Sequence, residues 1–237
     1  MTEQTSPRSR LAILFELGIV LTVLVGSKLV FDQIAWRFAG PLSLLCTLIT
    51  IFVFARGARE SIADFGLIRL RKWWSFPLVL PQAALATVAI IGCGAGMAFL
   101  GGALGFWPIE EVPSGVEDRW GNIVGNLPVY LGWLAIVWTS AAFGEEIFFR
   151  GYLIRRFEAL LPGMRLAAPL AVLVAATGFG IAHMYYQGVR GLVVTGIIGL
   201  ALGTLYLLYK RNLWPLVIAH GAVDTLAFTA MYLDLDI

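Results

Sequence analysis

Acidic, basic and imidazole side chains stand at short spacings inside three apolar stretches of the chain, in the strings GEEIFFR, FGIAH and HGAVD. They are Glu145, Glu146, Arg150, His183, His220 and Asp224. Ionisable groups in apolar helices cost free energy and usually face a bundle interior, so they indicate a functional site. The chain has only 2 histidines, and both belong to this set. A purely structural scaffold would leave the set unexplained.

The spacing within each stretch predicts which side chains meet. Glu146 and Arg150 are four residues apart, so they share a helix face and can form an ion pair that supports the site. Glu145 is rotated by about 100° from Glu146, which leaves it free for chemistry. His220 and Asp224 are also four apart, so the carboxylate can orient the imidazole or reach the same substrate atom.

Two mechanisms fit these residues. In the first, Glu145 is a general base that activates a water together with His183, while His220 and Asp224 stabilise the oxyanion and no cofactor is required. In the second, Glu145, His183 and His220 are the three ligands of a catalytic zinc. The residues do not choose between the two. An oxyanion donor must carry a proton, so Asp224 is either protonated or has another role.

The elements that must position these side chains are membrane helices. The chain is 59% hydrophobic and only 14% charged, whereas soluble domains carry about 25% charged residues. Since each crossing needs roughly 20 apolar residues, we predict an all-α bundle of seven transmembrane helices, with six to eight also compatible, in a single membrane domain over 1–237. Helices are favoured over a barrel because the apolar runs show no alternation. The apolar windows are 11–31, 40–55, 76–100, 130–154, 167–187, 191–209 and 213–233.

Small residues recur within the third and sixth windows. They are Gly92, Gly94, Gly96, Gly199 and Gly203. Glycines allow membrane helices to approach closely, so we interpret all five as packing positions.

The charges predict partners and orientation. A net charge of +2 and the lack of a basic block argue against nucleic-acid binding. The apolar windows predict that the protein is embedded in a lipid bilayer. With the N-terminus in the cytoplasm, only Lys28, Arg37, Arg119 and Arg190 of the 17 basic residues fall on the opposite side. By the positive-inside rule we expect a cytoplasmic N-terminus and an external C-terminus.

The motifs EExxxR, FxxxH and HxxxD, in this order on separate windows, resemble the CPBP (Abi) family of CAAX prenyl endopeptidases and bacteriocin-processing or bacteriocin-immunity membrane proteins. The resemblance covers residues 133–228. It implies a protease of the cell inner (plasma) membrane in which Glu145 and His183 activate water, and His220 and Asp224 act as transition-state or ligand residues. Prenyl-processing members usually have Asn where this chain has Asp224, which bears on the oxyanion role. The family is often described as metalloproteases, but we favour zinc-free catalysis.

The expected substrate is a membrane-associated peptide or protein, prenylated or of leader type. Two other functions remain open. A non-catalytic member of the same fold would bind a peptide or bacteriocin and confer immunity. A proton-coupled transporter would also use carboxylates and histidines, but it should show repeats in two halves of the chain, which the sequence lacks. The sequence does not indicate an oligomeric state.

Overall fold

The computed structural model describes residues 8–68, 76–108, 113–120 and 122–235, and these contain helices and no strand. This confirms the predicted all-α class. A central π-helix, Val137–Ile154, joins α5 to α6, and two short 3₁₀ turns, Trp36–Phe38 and Ile62–Phe65, flank α2. The α-helices are α1 Arg10–Ile34, α2 Ala39–Gly57, α3 Phe76–Ala103, α4 Ser114–Trp120, α5 Leu127–Ile136, α6 Arg155–Leu160, α7 Ala167–Leu208 and α8 Trp214–Tyr232.

Residues at the helix starts explain several of these boundaries. Ser9 precedes α1, and its hydroxyl accepts a hydrogen bond from the amide of Ala12 at 3.2 Å. Asn126 caps α5 in the same way, and Pro128 lies in the first turn of that helix. Polar caps satisfy amides that have no partner within the helix, and proline fits the first turn because its missing N–H is not needed there.

Five helical stretches of the described residues are long and apolar enough to cross a membrane: Arg10–Ile34, Trp36–Gly57, Pro77–Ala103, Leu127–Leu160 and Ala167–Leu208. Large apolar side chains such as Phe15, Val53 and Val88 are exposed on their outer faces. In lipid these faces need no further cover, so the chain has the character of a multi-pass membrane protein. The predicted seventh window corresponds to α8, which is not among the five and which carries His220 and Asp224.

Helix α7 is a hairpin of two spans. Gly188 has φ 62° and ψ −154°, so the helix is interrupted there. The two halves run back along each other, since a Cβ on Gly180 would lie 2.4 Å from the carbonyl oxygen of Leu192 and one on Gly203 would lie 2.7 Å from Val172. The halves are the predicted windows 167–187 and 191–209. With α8, the helices therefore match the seven predicted windows one for one.

The glycine interpretation is right for part of the set. A Cβ on Gly199 would meet Cα of Ala176 at 3.1 Å, so Gly199 and Gly203 do pack closely within the hairpin. Gly94 is in ordinary contact distance of Ile198, at 3.4 Å. At Gly92 and Gly96 no described atom lies within 4 Å, so packing is the wrong explanation for these two. They face outwards on α3.

An ion-pair network lies at one end of the bundle. Arg156 bonds to Glu16 of α1 at 2.9 Å and to both oxygens of Glu60 at 2.9 and 2.6 Å, and Arg8 also pairs with Glu16. Burial alone would raise the pKa of Glu60, but the hydrogen bond and charge of Arg156 and the charges of Arg155 and Arg8 hold it below the ordinary value. The network ties α1, the segment after α2 and the start of α6 together.

Candidate active site

The π-helix carries the first group of predicted site residues through the centre of the bundle. Glycines let its backbone approach its neighbours: a Cβ on Gly144 would lie 3.0 Å from Leu44 of α2, and one on Gly151 would lie 2.4 Å from the carbonyl oxygen of Phe65. π-Helical turns bond each amide to the carbonyl five residues earlier, are rare, and occur often at functional sites. Glu145, Glu146 and Arg150 all lie within this helix.

The predicted ion pair is present and fully buried. Nη1 of Arg150 donates to Oε1 of Glu146 at 2.8 Å, and the two residues are 1% and 0% exposed. The guanidinium also lies 4.6 Å from the ring centroid of Phe179. Oε2 of Glu146 and Nη2 of Arg150 are buried without a hydrogen-bond partner among the described residues, so the pair keeps part of the desolvation cost of its charges.

His220 supplies a further partner for this pair. Its Nδ1 lies 2.9 Å from the same Oε1 of Glu146. Because that oxygen belongs to a carboxylate paired with Arg150, it accepts the hydrogen bond and Nδ1 carries the proton. The spacing allowed Asp224 either to orient this imidazole or to reach the same substrate atom. The hydrogen bond to the imidazole comes from Glu146, and Oδ2 of Asp224 lies 3.7 Å from Nε2. That separation exceeds hydrogen-bond length, so Asp224 and His220 are in contact only as charged groups.

Glu145 faces His220 across a gap. Its Oε2 lies 4.0 Å from Nε2 of His220, and this oxygen is buried with no hydrogen-bond partner among the described residues. A separation of this size is too long for a direct hydrogen bond, but it accommodates a bridging water. Glu145 forms no ion pair with Arg150 among the described contacts, which agrees with the spacing argument.

His183 stands beside this cluster on the first half of α7. Its Nδ1 donates to the carbonyl oxygen of Phe179 at 2.8 Å, so the neutral ring presents the lone pair of Nε2. Phe179 links the two imidazoles, with ring centroids 4.5 Å from His183 and 6.3 Å from His220. The structure therefore brings Glu145, Glu146, Arg150, His220 and Asp224 into one contact cluster, and places His183 next to it without a direct hydrogen bond to it in the described part of the chain.

The predicted zinc ligands are not arranged as a metal site. Within the described ranges, no three or more His, Cys, Asp or Glu residues are placed to hold a metal ion. Nδ1 of His220 is bonded to Glu146 and Nδ1 of His183 to the carbonyl of Phe179, contacts that metal-bound histidines also make. The zinc mechanism therefore stays a prediction, and the reaction below is derived from the protein's own residues.

Sequence reasoning missed several residues that shape the site. Gly221 allows α8 to approach the π-helix, because a Cβ there would lie 2.6 Å from the ring of Trp138. The same indole donates to Thr225 at 3.1 Å. The glycine directly after His220 was a usable signal, because a larger residue there would collide with the ring of Trp138. Phe179 is the phenylalanine of the FxxxH motif, but the motif did not indicate that its ring lies between the two histidines.

Residues 127–226 match the family model described as type II CAAX prenyl endopeptidase Rce1-like. The matched region contains every predicted site residue, and it confirms the resemblance that the three motifs indicated. No curated protein and no solved structure matches the chain. The family is a protease family, so the match supports a membrane endopeptidase in general terms.

Proposed function

We propose that the protein is an intramembrane endopeptidase that hydrolyses peptide bonds of membrane-associated peptides, prenylated or of leader type, with water activated by Glu145 and His183. The observation that carries this proposal is the buried, unpartnered Oε2 of Glu145, 4.0 Å from Nε2 of His220. A buried carboxylate oxygen without a partner costs free energy. Placing a reacting water there supplies the missing hydrogen bond.

The first chemical step needs a base beside the water. Glu145 takes one proton from the water, and the water oxygen attacks the carbonyl carbon of the substrate. Nε2 of His183 accepts a hydrogen bond from the other water hydrogen, because its Nδ1 proton is committed to Phe179. The carbonyl π electrons move to oxygen, which gives a tetrahedral oxyanion. Glu145 then passes its proton to the leaving nitrogen as the C–N bond breaks.

His220 is the proposed donor to the oxyanion. Nδ1 faces Glu146 at 2.9 Å, while Nε2 faces both Glu145 and Asp224. Three carboxylates around one imidazole favour a proton on each ring nitrogen, so Nε2–H can donate to the developing charge. Asp224 then acts as a positioning residue whose negative charge supports the imidazolium, which removes the difficulty of using an aspartate as the donor.

Glu146 and Arg150 are the proposed support of this arrangement. Oε1 of Glu146 accepts from Arg150 and His220 at once, at 2.8 and 2.9 Å. An orienting carboxylate of this kind fixes the tautomer and the ring position of a catalytic histidine. The pair therefore sets where Nε2 of His220 points relative to Glu145.

For location, we propose the inner (plasma) membrane, with the N-terminus in the cytoplasm and the C-terminus outside. The ion-pair network at the Arg8 end and the Glu158–Arg211 pair on the same side of the bundle support this orientation, because cytoplasmic ends collect basic residues.

The test of the activity uses purified protein in liposomes with a panel of quenched fluorescent peptides, farnesylated and unmodified. We compare the wild type with Glu145→Gln, and use Glu158→Gln, a half-buried glutamate of α6 outside the site, as the matched control. We expect Glu145→Gln to lose at least a hundredfold in kcat, and Glu158→Gln to stay near the wild type. Each protein is also assayed with a zinc chelator, and we expect the wild-type rate to persist.

Three outcomes contradict parts of this proposal. Loss of activity with chelator, restored by added zinc, would replace the glutamate mechanism with a metal one. Equal rates for wild type and Glu145→Gln would remove Glu145 from the chemistry. Peptides that bind the wild type but are never cleaved would favour the non-catalytic peptide-binding function.

A further inference from the structure

Arg37 is a cation without a counter-charge among the described residues, at the end of the bundle where few basic residues are expected. It is exposed in the 3₁₀ turn Trp36–Phe38, which joins α1 to α2. Lys28, near the end of α1, donates to both carboxylate oxygens of Asp32 at 2.6 and 2.7 Å, but no side-chain hydrogen bond or ion pair joins Arg37 to another described residue. Neither the ion-pair network nor the proposed catalytic residues account for Arg37.

A groove lies between this turn and α5. It has a volume of about 300 Å³, and its two polar lining residues are Arg37 and Asn122. Phe38 forms one apolar wall, and its ring stacks on that of Trp133 of α5 with centroids 5.2 Å apart. The groove therefore has a guanidinium and an amide beside aromatic walls, which is the composition of a site for a molecule with one polar and one apolar end.

The α5 side of the groove is a single helix face, lined by Val129, Gly132, Trp133 and Ile136. Residues three or four apart share a face, and the first and last of these four are about 10 Å apart along the helix axis. They belong to the stretch Leu127–Leu160, which is long and apolar enough to cross a membrane, and Arg37 lies at the start of another such stretch, Trp36–Gly57. The groove thus runs inwards from the membrane boundary, along the direction of the lipid chains.

Gly132 leaves the space of the groove open. A Cβ on this residue would meet no described atom within 4 Å, and its backbone is helical. Neither close packing nor backbone conformation therefore requires a glycine here. A longer side chain at this position would occupy the groove.

The size of the groove selects a thin occupant. A volume of about 300 Å³ is at the lower end of the range for small-molecule sites. A partner helix over the same length, 10–12 Å wide, would fill roughly 800 Å³ or more. A hydrocarbon chain, whose carbon atoms lie about 4 Å from the atoms they contact, fits. Such chains surround any helix that spans a membrane.

The polar residues determine which head group matches the groove. The planar guanidinium of arginine pairs its N–H groups with phosphate oxygens, and basic pockets between membrane helices bind acidic lipid head groups. The amide of Asn122 can add a further donor. A zwitterionic lipid carries its own cation beside the phosphate, so the unpaired charge of Arg37 favours a lipid with net negative charge.

We propose that this groove binds an anionic phospholipid of the surrounding membrane, with one acyl chain along the α5 face and the phosphate at Arg37. The inference goes beyond the proposed protease function and does not depend on it. A lipid bound here contacts both the turn before α2 and α5, so it should stabilise the folded bundle.

The test measures thermal unfolding of the purified full chain in an uncharged detergent, with phosphatidylglycerol or phosphatidylcholine of identical chains added. Mass spectrometry of the intact protein counts the lipids that it retains. Arg37→Gln removes the charge, and Gly132→Leu fills the groove. The matched controls are Arg165→Gln, an exposed arginine between α6 and α7, and Gly26→Leu on α1, where a Cβ also meets no described atom within 4 Å.

We expect phosphatidylglycerol to raise the unfolding midpoint of the wild type and of both controls more than phosphatidylcholine does, since a ligand that binds the folded state stabilises it. In Arg37→Gln the affinity for phosphatidylglycerol should fall about tenfold or more, because a charged hydrogen-bonded pair is lost. In Gly132→Leu neither lipid should be retained.

Two further measurements separate lipid binding from a folding defect. Without lipid, Arg37→Gln and Gly132→Leu should unfold near the wild-type temperature, because Arg37 has no described partner to lose and the side chain at residue 132 enters open space. Arg37→Lys keeps the charge, so it should keep the preference for phosphatidylglycerol.

Four outcomes would overturn the lipid site. They are equal effects of the two lipids on the wild type, a preference for phosphatidylglycerol that survives in Arg37→Gln, retention of that lipid by Gly132→Leu, and stabilisation by glycerol phosphate as large as that by the intact lipid, which would reduce the groove to an anion site. Displacement of retained phosphatidylglycerol by a farnesylated peptide would assign the groove to a substrate instead. None of these results depends on peptide hydrolysis.

Discussion

At the scale of single residues, His220 decides how the site is organised. The helical spacing correctly predicted that Glu146 pairs with Arg150, because residues four apart on one helix are neighbours whatever the fold. The same rule suggested Asp224 as the orienting partner of His220, yet Glu146 holds Nδ1 from another helix. Contacts between helices depend on how the helices pack, which one sequence does not show.

The charge role of Asp224 is open to a direct test. Because its Oδ2 is 3.7 Å from Nε2 of His220, we expect Asp224→Asn and Asp224→Leu to lower kcat alike, by about 10- to 100-fold, as removal of a supporting carboxylate usually does. Both changes remove the charge, but only Asn keeps hydrogen-bonding groups. If Asn retains wild-type kcat and Leu does not, residue 224 is a hydrogen-bond donor to the oxyanion. Peptide hydrolysis in liposomes measures the difference.

Arg150 should matter for stability as well as for activity. Arg150→Met leaves Glu146 buried with only His220 as partner, and removing one member of a buried pair costs about 3–5 kcal/mol. We expect a large fall in the thermal unfolding midpoint in detergent, and loss of peptide hydrolysis. Arg211→Met is the matched control, because its pair with Glu158 is 41% and 30% exposed and such pairs contribute about 0–1 kcal/mol. Equal shifts for the two variants would show that burial of the Glu146 pair contributes nothing.

At the scale of elements, the lengths of the apolar windows predicted the helices, but the sequence did not predict the details of their backbone. The boundary between the fifth and sixth windows falls at Gly188, where the hairpin turns. Nothing in the sequence predicted the π-helix over Val137–Ile154, because a π turn differs from an α turn in which carbonyl each amide bonds, and no residue type marks that change. Its close contacts through Gly144, Gly151 and Gly221 depend on neighbours distant in the chain.

The stability of the α7 hairpin should depend on Gly180 and much less on the nearby Gly178. In Gly180→Ala the new Cβ would stand 2.4 Å from the backbone oxygen of Leu192, and backbone cannot move aside as a side chain can. We expect a loss of about 1–3 kcal/mol and reduced activity, because His183 is on the same half of α7. In Gly178→Ala, two residues away, the Cβ would lie 3.7 Å from Phe149, an ordinary contact. Thermal unfolding of both variants in detergent tests this, and equal behaviour would contradict the close packing.

At the scale of the whole molecule, the charge pattern predicted which ends of the helices lie together, but it did not predict the pairs. Arg156 joins Glu16 and Glu60 across sequence separations of 140 and 96 residues. These contacts hold three parts of the bundle together at one end. No hydrogen bond or ion pair of the described residues joins this network to the proposed catalytic residues, so its removal should affect stability more than chemistry.

Acid should weaken this network. The pKa of Glu60 is held below its ordinary value of 4.5, so the folded protein binds this proton less readily than the unfolded chain. The stabilisation is therefore present above pH 4.5 and is lost as the pH falls through the lower folded-state value. We expect Glu60→Gln to be less stable than wild type near neutral pH, with the gap closing in acid. Thermal unfolding across this range measures the gap, and a constant gap would contradict the linkage.

The predicted orientation of the protein in the membrane rests on the basic residues gathered at one end of the bundle. Arg211 lies where α7 ends and α8 begins, beside Glu158 of α6, whereas Tyr232 at the far end of α8 contacts Gly125 near the start of α5. If basic ends are cytoplasmic, alkaline phosphatase should be active when fused at the C-terminus and inactive when inserted after Gly163, between α6 and α7. A fluorescent protein at either site should show the reverse, which controls for expression. The opposite pattern at both sites would invert the bundle and contradict the proposed orientation.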